Sequence, residues 1–150
     1  MTNNTRRKAE QIDAANPRAE KSVGNRIGMI RRDGDHAATT FRWEPLVRCG
    51  DPSVADVGAT FSSDTTRNGW FGMPDNIAFD ADGRLWIATD GNAGAVTGRA
   101  DGIWGIETEG FARGTSRHFY RVPVGAEMCG PCFTPDGETL FVAVQHPGEA

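Results

Sequence analysis

A pattern of alternating apolar and polar residues occurs twice in the chain, and each copy predicts a β-hairpin. Residues 79–88 read FDADGRLWIA and residues 133–143 read FTPDGETLFVA, 54 residues later and with one extra turn residue. In each copy an apolar residue ends one strand, Asp-Gly supplies a left-handed turn, and an apolar run leads away in the opposite direction. The outgoing runs, 85–88 and 140–144, are rich in β-branched and aromatic residues, so we expect inner strands of blades.

A repeat of strand, turn and strand at this spacing predicts the blades of a β-propeller. The fold class is therefore all-β, a partial β-propeller of about two blades preceded by an irregular N-terminal segment. Further strands are expected at 27–31, 38–47, 102–106 and 116–124. Within the single domain 1–150, this division gives a loop-like segment 1–26, a partial blade 27–48, a blade 74–124 and an incomplete blade 125–150. We expect the chain to be a piece of a larger propeller, because an unclosed stack of blades leaves unpaired strand edges.

Composition narrows the range of partners. The 150 residues include 16 basic and 20 acidic side chains, for a net charge of −4. Nucleic acid is therefore an unexpected partner. The opening MTNNTRRKAEQ has arginines without an apolar segment behind them, so we expect neither a signal peptide nor a membrane span, and no membrane partner. The sequence assigns no compartment.

The three cysteines do not form a disulfide framework. Residues 129–132 read CGPC, the tetrad of thioredoxin active sites, but a thioredoxin pair needs a helix that begins at the first cysteine. Here FTPDG follows and starts a hairpin, so we interpret Cys129 and Cys132 as residues of a strand entry. Zinc binding is equally disfavoured, because no second ligand pair stands at a suitable spacing.

Acidic and amide side chains stand at the strand ends that face the channel of a propeller. Asp75 and Asn76 precede the first hairpin, Glu127 precedes the second in the corresponding place, and Asp90 follows the first inner strand. Carboxylate and amide oxygens from neighbouring blades are the ligands of a hard cation such as calcium, or of iron with water. The alternative is an ordinary turn role, which we assign to Asp82 and Asp136.

Other polar residues give weaker indications. His36 and His118 have no partner at catalytic spacing, so we expect solvated or packed rings. Three N-terminal arginines, Arg6, Arg7 and Arg18, could contact phosphate, although a solvated face is favoured.

Five blocks of sequence resemble a known family. They are TNNTRR at 2–7, DAANPR at 13–18, GDHAATTFRW at 34–43, PDNIAFDADGRLWIATDGN at 74–92 and VGAEMCGPCFTPDGETLFVAVQHPGE at 124–149. Together they resemble the C-terminal part of PhoX-type alkaline phosphatases, over nearly the whole chain.

The resemblance implies a β-propeller that hydrolyses phosphate monoesters with a cluster of iron and calcium ions. It implies metal-holding roles for Asp75, Asn76, Asp90 and Glu127, and it identifies no catalytic or substrate-binding residue here. Family members are several times longer, are exported through a twin-arginine signal, and take further metal ligands from N-terminal blades. We therefore expect a fragment with little or no activity alone.

Two alternatives stay open. One is a non-catalytic binding module that pairs its exposed edge strands with missing blades or with a second copy. The other is a gluconolactonase-like propeller with a single calcium ion, against which the TNN and QHPGE blocks count.

Overall fold

Eight β-strands and one 3-10 turn make up the regular structure of the described residues. The structure is a computed structural model that describes residues 26–32, 37–92 and 97–148. The strands are β1 (Arg26–Arg32), β2 (Phe41–Arg48), β3 (Pro74–Phe79), β4 (Leu85–Thr89), β5 (Gly102–Ile106), β6 (Ser116–Arg121), β7 (Glu127–Phe133) and β8 (Leu140–Gln145). The 3-10 turn is Ala55–Val57. Within this part of the chain no helix has the length and apolar character needed to cross a membrane.

The strands form three antiparallel sheets in chain order. β1 pairs with β2, β3 to β6 form a four-stranded meander, and β7 pairs with β8. The central register runs from Ile87 through Trp104 to His118. A four-stranded antiparallel meander is the unit of a propeller blade, and the chain is a partial β-propeller.

The predicted strands are close to those observed. β2 begins at Phe41 instead of residue 38, and β6 ends at Arg121 instead of residue 124. β4 lies between β3 and β5, as expected of an inner strand, whereas β8 pairs with β7 alone among the described residues. The division of the chain into blades at the predicted bounds stays a prediction.

Some predictions fall on residues outside the described part of the chain. These are the loop-like segment before residue 26, the turn that joins β1 to β2, and the roles of Arg6, Arg7, Arg18 and His36.

Two apolar clusters hold the sheets together because β4 and β5 bury side chains on both faces. One contains Leu46, Val47, Cys49, Phe71, Leu85, Ile87, Trp104 and Ile106. The other contains Ala88, Ile103, Val122, Ala126 and Met128, with Trp86 and Leu140 packed against it. Because Met128 belongs to β7, the second cluster fixes the β7–β8 hairpin against the four-stranded sheet.

A further contact between these sheets involves Trp86. Its ring lies 5.4 Å from that of Phe133 at the end of β7, and 5.0 Å from that of Phe119 on β6. Its indole N–H donates to Asp80 Oδ2 at 2.8 Å. The turn between β3 and β4 therefore helps to orient the residue on which β7 packs.

Candidate metal centre

Three carboxylates meet where β3, β4 and β7 come together. Asp75 is the second residue of β3, Asp90 follows the last residue of β4, and Glu127 is the first residue of β7. One oxygen of each lies within 4.8 Å of the other two, and all three side chains are half-buried. The structure thus brings together three of the four residues that the sequence predicts to hold metal.

The antiparallel hairpin explains why Asp75 and Asp90 are neighbours. Pro74 at the start of β3 pairs with Thr89 at the end of β4, so Asp75 and Asp90, each one residue from this pair, both lie at the open end of the hairpin. The Asp90 amide donates to the Met73 carbonyl at 3.1 Å. Glu127 joins them because β7 packs on this hairpin through the second apolar cluster.

Asp101 holds the turn that carries Asp90. Its carboxylate accepts hydrogen bonds from Thr89 Oγ1 at 2.7 Å, from the Gly91 amide at 3.0 Å and from the Asn92 amide at 3.1 Å. Asp101 is almost fully buried. This role of Asp101 was not predicted, because no local sequence pattern connects residue 101 to a turn ten residues earlier.

Asn76 lies beside the cluster and uses both ends of its amide. Its Nδ2 donates to Asp75 Oδ2 at 2.9 Å, and its Oδ1 accepts from the Gly130 amide at 3.0 Å. Gly130 has a φ of +58° and lies within the irregular register of β7. Asn76 therefore orients Asp75 and ties β3 to β7, while its predicted role as a metal ligand stays a prediction.

Cys129 is a partner of Glu127. The two residues are two apart on β7, so their side chains share a face. The thiol donates to Glu127 Oε1 at 2.7 Å and accepts from Gln145 Nε2 at 3.0 Å. Burial raises the pKa of the Cys129 thiol to about 12, helped by the hydrogen bond and negative charge of Glu127 and by Asp75 and Asp90. The period-two pattern of the strand could have revealed this contact.

The same features argue against thioredoxin-like chemistry at residues 129–132. Both cysteines lie in a strand, and both are free. A reactive thiol needs a lowered pKa, whereas that of Cys129 is raised. The structure agrees with the interpretation of these residues as part of a strand.

Negative charge dominates the cluster within the described residues. Burial raises the pKa of Asp90, and the charges of Glu127, Asp101 and Asp75 raise it further, while His146 acts in the opposite direction. Like charges held this close disfavour the ionised form unless a cation is present. The arrangement can therefore hold a metal cation through hard oxygen ligands.

Two residues beside the cluster have unusual backbone conformations. Met73, just before β3, has a φ of +51°, and His146, just after β8, has a φ of +52°. These are the two non-glycine residues with positive φ among those that the structure describes. Such conformations cost free energy and concentrate at functional sites.

Comparison with known proteins gives one consistent family. The family described as alkaline phosphatase PhoX matches residues 1–148. No curated protein matches the chain. Among solved structures, the chain is similar to Pseudomonas fluorescens PhoX in complex with vanadate, a transition state analogue, with 40% identity and a TM-score of 0.79. The match covers 98% of this chain and 26% of that one.

Proposed function

Since the chain belongs to the PhoX alkaline phosphatase family, we propose that it supplies part of the metal centre of a phosphatase that acts on phosphate monoesters. The family is described as alkaline phosphatase, and the matched structure holds vanadate, a transition state analogue. The single observation that carries the proposal is the convergence of Asp75, Asp90 and Glu127 within 4.8 Å. Membership of this family disfavours the gluconolactonase-like alternative.

Calcium fits the donor set best. It takes six to eight oxygen ligands and accepts carboxylates in flexible geometry, and each of the three side chains offers carboxylate oxygen. Iron also accepts carboxylates. Cys129 is not assigned as a metal ligand. Its protonated thiol donates a hydrogen bond to Glu127 and orients that carboxylate.

The chain's own residues have distinct roles in this proposal. Asp75, Asp90 and Glu127 bind the cation, Asn76 fixes Asp75, and Asp101 fixes the turn that carries Asp90. Hydrogen-bonded neighbours of this kind orient ligands and tune a site. A bound metal ion supplies Lewis-acid stabilisation of the charge on a phosphoryl group.

We further propose that the chain alone hydrolyses little or no substrate. It spans 26% of the Pseudomonas PhoX chain that it matches. With one oxygen from each side chain, the three carboxylates supply three of the six to eight oxygens that calcium takes, and an incomplete set of ligands binds weakly and positions substrate poorly.

Calorimetric titration of the chelator-stripped chain with calcium tests the metal site. Replacing Asp90 with asparagine keeps its size and removes one charge, so calcium affinity should fall about tenfold or more. Asp82→Asn is the matched control, because Asp82 lies in the exposed β3–β4 turn. Equal affinity of Asp90→Asn and the unmodified chain would contradict the proposed site.

Hydrolysis of p-nitrophenyl phosphate tests the activity. We expect no turnover with calcium and iron added. Turnover that a chelator abolishes would show that the chain, by itself or as an oligomer, forms a complete centre, and would refute the proposal of inactivity.

A second candidate function, an interaction module, is favoured by β8. Its residues are mostly exposed, including Phe141 at 62% and Val142 at 37%, and within the described residues it pairs with β7 alone. An open strand edge with an apolar face can accept another strand. Sedimentation at increasing concentration tests this, with Phe141→Lys expected to abolish any self-association.

A further inference from the structure

A pocket of about 700 Å³ is lined by residues that are not part of the acidic cluster. We call it the arginine pocket and define it by Arg67, Asn68, Arg99, His118 and Arg121. Two of these residues lie on β6, two in the segment before β3, and Arg99 shortly before β5. The acidic cluster instead belongs to β3, β4 and β7.

Excess positive charge among the described residues is the first feature of this pocket. Within the described residues, none of its three arginines forms an ion pair; the observed pairs use Arg84 and Arg113 instead. Asp51 offsets part of the charge of Arg99, but no acidic residue among those described lines the pocket. Several cations around one concave surface attract an anion.

The second feature of the pocket is that Arg99 is held in a fixed position. Arg99 donates to the carbonyls of Arg67 at 2.8 Å, and of Asn68 and Trp70 at 3.4 Å each. Its guanidinium carbon lies 3.7 Å from the centre of the Trp70 ring. A cation held in this way loses little conformational entropy when an anion binds near it.

His118 adds an unsatisfied polar group. Its ring lies 5.1 Å from that of Trp104, and its Nε2 is buried without a hydrogen-bond partner among the described residues. Burial and the charge of Arg121 lower its pKa. A buried polar atom without a partner costs free energy, and His118 lines the pocket in which a ligand would lie.

We propose that the arginine pocket binds the oxyanion of a small phosphate compound, either inorganic phosphate or a phosphate monoester. Guanidinium groups match the oxygens of a phosphoryl group in charge and in spacing. A pocket of about 700 Å³ has room for an organic substituent beside that group. This site needs no metal, so it stands independently of the proposed metal centre.

Titration of the 150-residue chain with inorganic phosphate, in EDTA and at constant ionic strength, tests the proposal. The readout is the set of tryptophan indole signals in a nitrogen-proton correlation spectrum, since Trp70 and Trp104 lie beside the pocket. We expect saturable shifts, and affinity about tenfold lower in Arg67→Gln and in Arg121→Gln. Arg67 is exposed, so its replacement tests binding without threatening the fold.

Arg117→Gln is the matched control, because Arg117 is an exposed residue of the same strand, β6, and does not line the pocket. It should leave the affinity unchanged. Shifts that do not saturate, or that Arg117→Gln weakens as much as Arg121→Gln, would overturn the proposal and indicate diffuse electrostatic attraction.

A second titration with glycerol 3-phosphate separates the two sources of the anion. Tighter binding than that of inorganic phosphate identifies a monoester site, and equal binding identifies a site for the phosphate group alone. The Asp90→Asn variant tests whether the anion binds at the acidic cluster and not in the arginine pocket. If it abolishes phosphate binding in EDTA, the anion does not lie in the arginine pocket and the proposal fails, whatever the calcium titration shows.

Discussion

Replacing Asp80 with alanine should destabilise the chain strongly, because this one carboxylate organises the β3–β4 turn. Its Oδ1 accepts from the amides of Asp82 at 3.1 Å and of Arg84 at 2.8 Å. Its Oδ2 accepts from Arg84 Nη1 at 3.0 Å and from the Trp86 indole at 2.8 Å. The side chain of Asp80 is only 12% exposed, so water replaces these contacts poorly.

The magnitude follows from these four contacts. A hydrogen bond to a charged group contributes about 1.5–3 kcal/mol, and a neutral one about 1 kcal/mol. Because Asp82 is exposed and the Arg84 side chain is one-third exposed, water competes for their two contacts, and we count only the Arg84 amide and the Trp86 indole, at the low end of that range. We expect Asp80→Ala to lower the free energy of unfolding by about 3 kcal/mol, and Asp80→Asn by about half as much, since the amide keeps one acceptor.

Thermal and urea unfolding, followed by circular dichroism, measure this effect. For about 150 residues, 3 kcal/mol corresponds to a fall in Tm of roughly 6–12 °C. Asp82→Ala is the control, because Asp82 is exposed in the same turn. If Asp80→Ala costs no more than Asp82→Ala, the carboxylate does not organise the turn and the reasoning is wrong.

The contribution of Asp80 should also depend on pH. Burial alone would raise its pKa, but hydrogen bonds from Trp86 and Arg84 and the charge of Arg84 outweigh burial, so the pKa of Asp80 lies below its ordinary value. A carboxyl with a depressed folded-state pKa stabilises the fold above its unfolded pKa, and the stabilisation is lost as pH falls through the folded pKa. The stability difference between the unmodified chain and Asp80→Asn should therefore be complete at neutral pH and shrink as the pH falls below the unfolded pKa of about 3.9 and through the folded pKa.

Three further predictions concern packing, thiol reactivity and the cluster. Gly69→Ala should destabilise by about 1–3 kcal/mol in urea unfolding, because a Cβ there would lie 2.3 Å from the Ser116 carbonyl oxygen; an unchanged midpoint would contradict this close approach. In the folded chain, Cys132 should react with a disulfide reagent far faster than Cys129, since Cys132 is exposed and the pKa of Cys129 is raised to about 12. Cys132→Ser should abolish the fast phase, and a fast phase that persists would refute the assignment. Asn76→Ala should weaken calcium binding about tenfold in a calorimetric titration, and unchanged affinity would show that Asp75 needs no such orientation.

Local patterns explain why much of the fold is predictable from the sequence. Asp-Gly turns and period-two alternation identify β3 with β4 and β7 with β8, since both signals act within about ten residues of chain. Equivalent placement in the two hairpins also identified Asp75 and Glu127 as candidates at one end of the sheets. Their convergence with Asp90 is observed, although the metal itself stays a proposal.

Features that depend on tertiary contact were not predicted. Asp101 acts on a turn about ten residues away, and Cys129 matters because the register of β7 places it beside Glu127. The arginine pocket combines residues up to 54 positions apart, from Arg67 to Arg121. Neither composition nor spacing reveals that Arg99 and Arg121 lie near one another, because the pairing of β5 with β6 decides it.

When β7 docks, repulsion between carboxylates opposes the docking and burial of apolar side chains favours it. The metal centre is therefore linked to the fold. Asp75 and Asp90 belong to one hairpin, so they are neighbours whenever that hairpin forms, whereas Glu127 arrives only when β7 packs. At 4.8 Å, the distance within which all three oxygens lie, each pair of like charges repels by about 3.5 kcal/mol at an effective dielectric of 20, less after screening by salt. Burial of Met128 and the contact between Trp86 and Phe133 oppose this repulsion.

A cation that binds all three carboxylates converts the repulsion into attraction and stabilises the docked state over any state in which β7 is displaced. Metal binding and the attachment of the β7–β8 hairpin are thus coupled, and each should strengthen the other.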